Sequence, residues 1–151
     1  MSAEPTPELR RKLAVDLFNH AWRLLGLPER TPEQDDELIH AAHASRHHWG
    51  EVGTAANRAR GEWQLSRVYA TLGRAEPALH HARRCLACCE ENPEAIEDWD
   101  LPFAYEALAR AHLVAGDEDE AARCEARARE LGEMIEDPED RELLEADLKT
   151  L

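Results

Sequence analysis

Several things are scarce in this 151-residue chain, and each scarcity excludes a class of protein. No apolar run approaches the roughly 20 residues that a bilayer-crossing helix needs. The stretch from Met1 to Lys12 carries charges and prolines where a secretory leader would be apolar, so the expected location is the cytoplasm. Cysteine is confined to Cys85, Cys88, Cys89 and Cys124, three of them crowded together, which is poor spacing for a disulfide framework; reduced thiols are expected. Serine is rare, no Gly-x-Ser-x-Gly elbow exists, and no glycine-rich loop could cradle a phosphate. No catalysis is therefore expected, and no cofactor is implied. Aromatic residues amount to only 5%, so each of the four tryptophans, Trp22, Trp49, Trp63 and Trp99, needs a place. Core or inter-helix packing is the expected one, with Trp63 partly exposed.

Basic charge is also in short supply, giving a formal net charge of −14. Most of the acidic excess lies in residues 90–151, whereas residues 54–89 are mildly basic. An acidic surface repels the phosphates that dominate nucleic-acid binding and disfavours anionic membranes, so neither is an expected partner.

What the chain does contain is helix signal. Ala, Leu, Glu and Arg dominate, period-2 alternation is absent, and prolines sit where helices begin. Thr6-Pro7 opens a first helix that ends at Gly26. Thr31, Pro32 and Gln34 form a capping-box pattern for a second, to about Trp49, with Leu38, Ala42, Ser45 and Trp49 as its apolar stripe. A third runs from Ala55 to Leu72 and stops at Gly73 in the manner of a left-handed cap, and a fourth carries Pro77 in its first turn and stops near Asn92-Pro93. Asp100 with Pro102 opens a fifth, Asp119 to Ile135 forms a sixth, and Asp137-Pro138 opens a last helix with Leu144, Leu148 and Leu151 on one face. The expectation is a single all-α domain over residues 1–151, with antiparallel pairs at about 7–49, 55–92 and 101–135 and a capping helix at about 138–151.

The chain also repeats itself. Residues 62–85 overlay residues 105–128 with a shift of 43, the spacing of Gly73 and Gly116. Leu65 falls on Leu108, Ser66 on Ala109 and Ala78 on Ala121, a plan of small residues at close approaches and bulky ones where helices interdigitate. The series Leu65, Ser66, Tyr69, Gly73, Ala78 and Cys85 resembles the tetratricopeptide repeat, as does Leu108, Ala109, His112, Gly116, Ala121 and Ala128. His112 and Glu125 depart from that pattern, where an aromatic and a bulky residue are usual, and the 43-residue period marks a long-loop variety. Phe18, Asn19, Trp22 and Gly26 make a fainter first copy. Asp35 to Gly53 also resembles part of a small bacterial protein group, a likeness that implies no activity. The repeat resemblance implies a right-handed superhelix of about three pairs, its ends covered because solenoid pairs stack only on neighbours.

It further implies that the first helix of each pair lines a concave groove. The groove positions are then Asp16, His20 and Arg23; Arg60, Trp63, Gln64 and Arg67; and Glu106, Arg110 and Val114. Inward-facing arginines fit carboxylates in fork geometry and a tryptophan offers a flat anchor, so Arg23, Arg60, Trp63, Gln64, Arg67 and Arg110 are candidate contacts for a protein or peptide, such as an acidic or C-terminal segment. Alternatively, Arg60 and Arg67 pair with Glu62, Glu106 or other carboxylates and Trp63 packs under a neighbouring loop.

Two other readings come from different chemistry. Asp36, His40, His43 and His47 share one helix face at the three- and four-residue spacing that suits zinc or a similar metal, with His80 and His81 as further donors, although solvation alone also explains a polar face. Self-association through an exposed repeat face, giving a homodimer or scaffold, is the third. Cys85, Cys88 and Cys89, one turn apart, are either soft-metal or redox ligands with His81 or compact core residues; Cys85 and Cys88 fall on packing positions of the repeat.

Overall fold

A computed structural model describes residues 3–151. Among them lie seven helices and no strand: α1 (Pro7–Leu25), α2 (Pro32–Val52), α3 (Ala55–Thr71), α4 (Ala75–Glu91), α5 (Asp100–Ala115), α6 (Glu118–Gly132) and α7 (Pro138–Leu148). Local chemistry sets most of the starts. Thr6 Oγ1 accepts from the Leu9 amide at 3.1 Å, and Thr31 and Gln34 form both halves of a capping box. Thr54 and Asn57 form a second box that the sequence reading did not anticipate, because Asn replaces the usual Glu or Gln.

Consecutive helices pack as pairs, α1 on α2, α3 on α4 and α5 on α6, and the pairs join mainly through α2–α3, α4–α5 and α3–α5. The two turns inside the repeated pairs match bond for bond. Gly73 and Gly116 have φ of +74° and +81°, a region closed to most side chains. Arg74 N donates to Tyr69 O and Asp117 N donates to His112 O, each at 2.9 Å, satisfying carbonyls that the helix end would otherwise orphan.

Small residues let the helices of a pair approach closely. Ala14, Ala21, Ala78, Ala82, Ala109, Ala111 and Ala128 are fully buried. The Ser45 hydroxyl donates to Ala14 O at 2.7 Å, and the Ser66 hydroxyl to Ala78 O at 2.9 Å, so each buried hydroxyl is satisfied across its own pair. Leu38, Leu65, Val68 and Leu108 fill the main core around them.

Helix ends depart from expectation in three places. α2 continues to Val52, since Gly53 N still reaches Trp49 O at 2.7 Å. α6 ends at Gly132, where the chain turns so that Ile135 tucks beside Ala128, Leu144 and Leu148. α7 ends at Leu148; it packs on both α5 and α6 and covers the last pair. No helix among the described residues is long and apolar enough to cross a membrane.

Candidate functional site

The first helices of the three pairs, α1, α3 and α5, share one side of the molecule, and the arginines of α3 and α5 there are already engaged. Arg60 grips Asp100 with both prongs, Nε to Oδ1 at 3.0 Å and Nη2 to Oδ2 at 2.9 Å, while Asp100 also accepts from the Glu97 amide at 2.8 Å. Asp100 opens α5 as the sequence predicts, as its first helical residue and 4% exposed, with Trp99 in the cap position.

On the same side, Glu106 is fully buried and accepts from three side chains: Trp63 Nε1 at 3.3 Å, Arg67 Nη2 at 3.0 Å and Arg110 Nη2 at 2.8 Å. α7 closes over the same arginines. Asp147 accepts from Arg67 at 3.0 Å, and the Asp147 carbonyl and the Thr150 hydroxyl accept from Arg110. Buried charges need such partners, because a carboxylate withdrawn from water without them loses several kcal/mol of hydration, in order-of-magnitude terms. Three of the expected peptide-binding guanidiniums, those of Arg60, Arg67 and Arg110, thus have internal carboxylate partners.

The remaining candidates separate. Gln64 is 0% exposed and donates to Phe18 O at 2.9 Å, which makes it a strut between α3 and α1 in place of a groove contact. Arg23 is exposed and sits beside His20, 3.2 Å from its Nδ1. Trp63 is half-buried and opens onto a pocket of about 310 Å³.

That pocket is walled by Phe18 and Trp22 of α1, Trp63 of α3, Phe103 of α5, and Trp99 just before α5. The rings form a chain: Phe18–Trp22 at 6.2 Å, Trp22–Trp63 at 5.3 Å, Trp63–Phe103 at 5.7 Å and Phe103–Trp99 at 6.3 Å, three of these contacts edge-to-face. Ala59 and Cys85 complete the wall, α7 contributes Asp140 and Leu143, and the Arg60–Asp100 pair lies along one side with the guanidinium 4.2 Å over Trp99. The space exists because α1 touches α3 only thinly, and long aromatic side chains rather than backbone bridge the gap.

On the opposite side of α3, histidines pair with other groups. His43 Nε2 lies 2.8 Å from the Tyr69 hydroxyl, and His81 Nδ1 lies 2.7 Å from Glu62 Oε2, with Arg46 Nε 3.3 Å from the other carboxylate oxygen. Burial and the neighbouring His81 hold the His43 imidazole below its usual 6.5. Burial pushes Glu62 upward, but the hydrogen bond and charge of His81, with Arg46 and Arg84, outweigh it and leave the carboxyl below its usual 4.5. Asp36, His40 and His47 stand on the exposed face of α2. Among the described residues, no three His, Cys, Asp or Glu side chains are placed to hold a metal ion, so the Asp36, His40, His43 and His47 stripe does not converge into a site.

Cys85 and Cys89 are buried, and Cys88 and Cys124 half-buried, all four as free thiols. A hydrogen bond with Cys89 and complete burial push the Cys85 thiol well up, and burial raises Cys88 and Cys124. Raised thiols are poor nucleophiles and poor ligands.

Sequence reasoning did not assemble the aromatic pocket. Phe18 and Trp22 were legible as one helix pattern and Trp63 as a groove position, but Phe103, Trp99 and the acidic partner Asp100 were assigned to helix starts and packing. The available signal was the 43-residue repeat itself, since a shift of 43 carries Arg60 to Phe103 and Trp63 to Glu106. No family model matches the chain, and comparisons with curated proteins and with solved structures give no match.

Proposed function

We propose that the chain is a non-catalytic binding module of tetratricopeptide-like, right-handed superhelical form, whose concave face takes a segment of a partner protein or peptide. The observation that carries this reading is that five of only eight aromatic residues line one pocket on the side shared by α1, α3 and α5. A core has no need to leave 310 Å³ open beside a chain of five contacting rings, and apolar pockets with a few polar groups are where ligands bind. The equal turns at Gly73 and Gly116 and the pairwise packing support the repeat architecture.

Relative to the arginine-lined groove expected from sequence, the binding role moves to Phe18, Trp22, Trp63, Trp99 and Phe103. Arg60, Arg67 and Arg110 act as supports, because Asp100, Glu106 and Asp147 use their donors. Aromatic anchors in partly enclosed pockets dominate binding energy in most interfaces.

Peptides selected from a random displayed library against the full chain provide the test. Selected sequences should bind the wild type and lose at least tenfold with Phe18→Ala or Trp22→Ala, each shown to be folded by circular dichroism, while the exposed control Arg123→Ala keeps full affinity. Equal binding to wild type and both pocket variants would place any binding elsewhere and remove this reading.

A further inference from the structure

We propose that the group received by the aromatic pocket is a methylated ammonium, a cation with an apolar skin, carried on the partner's segment. The inference rests on the pocket reading above and adds the chemistry of the occupant.

Three features of the pocket favour that cation over a neutral apolar group. First, five aromatic rings line the pocket, neighbours in the chain lying at 75°, 45°, 80° and 85° to one another, so rings of several orientations border the same space. A ring face turned to the pocket attracts a cation through its quadrupole, and a methylated ammonium also gains from burial because its hydration is weak. Second, a ring of this pocket already receives a cation: the Arg60 guanidinium lies 4.2 Å over Trp99, held there by Asp100.

Third, the charges around the pocket leave a negative remainder. Arg60 is matched by Asp100, and Arg67 and Arg110 are matched by Glu106 and Asp147. Asp140, in the first turn of α7, lines the pocket and has no ion pair or side-chain hydrogen bond among the described residues. A half-buried carboxylate without a counter-ion beside five aromatic rings complements a bulky cation and repels an anionic occupant. The net charge of −14 draws a cation to the same surface. A volume of 310 Å³ is at the small end of ligand pockets, enough for a head group while its chain runs out past Leu143.

The test compares two molecules that differ in charge and hardly in shape, choline and 3,3-dimethyl-1-butanol, each titrated into the full chain and followed by tryptophan fluorescence and calorimetry. Choline should bind about tenfold more tightly than the alcohol, and Asp140→Asn should remove most of that difference without unfolding the protein. A short peptide containing trimethyllysine, set against the same peptide with unmodified lysine, identifies the carrier. Preference for the methylated peptide over choline places the group on a protein segment, and choline binding alone places it on a small molecule. Equal or tighter binding of the neutral alcohol would overturn the inference while leaving the pocket as an apolar anchor. Absence of binding by choline and by the methylated peptide would overturn it as well, and the peptide selection above then decides the broader reading separately.

Discussion

Glu106 and Arg67, thirty-nine positions apart in the chain, meet at 3.0 Å in the interior, with the carboxylate fully buried and the guanidinium reaching on to Asp147 of α7. This pair, with Trp63 and Arg110, ties α3, α5 and α7 together at one carboxylate. Glu106→Gln should therefore lower stability by about 3 kcal/mol, the usual consequence of stranding buried charge, measured by urea unfolding. A loss under about 1 kcal/mol would show that water reaches the arginines and that the network is a surface feature.

Gly73 and Gly116 supply the same left-handed turn, and a Cβ on either would meet nothing within 4 Å. Their replacement by Ala thus reports backbone strain alone. Gly73→Ala and Gly116→Ala should each cost about 1 kcal/mol, and nearly the same amount, by thermal or urea melts. Widely different losses would mean that the two turns are not equivalent.

Acid should weaken the fold in two stages. The folded chain disfavours protonated His43, so that contribution is complete above the ordinary value of 6.5 and is lost as pH falls below it. Glu62 favours its charged form, so its contribution is present above 4.5 and is lost as pH falls through its lower folded value. His48, lowered by burial, His47 and Arg10, acts in the same direction as His43. Urea midpoints at pH 7.5, 5.5 and 4 should decline throughout, and His43→Gln should shrink the first step. Identical declines between pH 7.5 and 5.5 in wild type and variant would show that His43 is not titrating with folding.

The thiols should divide by burial. Cys88 and Cys124 should react slowly with Ellman's reagent in the native protein, and Cys85 and Cys89 only after denaturant is added. Four fast-reacting thiols in native buffer would contradict the packing of α4 against α3 and α5.

Helix identity was legible because its signals are local. Thr6-Pro7, the Thr31–Gln34 box, and the glycines at 73 and 116 act within one turn, and each acts as its residue type dictates. The 43-residue echo likewise reported pairing, because the same small residues are needed wherever two helices approach closely: Ala78 and Ala121, and Cys85 and Ala128, are buried alike.

The groove chemistry was legible only in part. The repeat resemblance implied that Arg60, Trp63, Gln64 and Arg67 share one face, but a shared face says which residues point the same way and not what stands opposite. Gln64 turned inward to Phe18 O, and Arg60 met an aspartate forty residues away that sequence alone marks as an ordinary helix start. The histidine stripe on α2 did not converge for the same reason: the imidazoles of His40, His43 and His47 all lie at the surface, and that of His43 turns to a tyrosine from α3.

By itself the sequence determined the seven helices and several of their starts, such as Thr6-Pro7 and the Thr31–Gln34 box, since these depend on contacts among residues a few positions apart. Only the tertiary structure decided that Arg60, Arg67 and Arg110 are neutralised from within and that five scattered aromatic rings line one pocket. Those outcomes depend on side chains brought together from α1, α3, α5 and α7, and long-range partners leave no periodic trace in the chain.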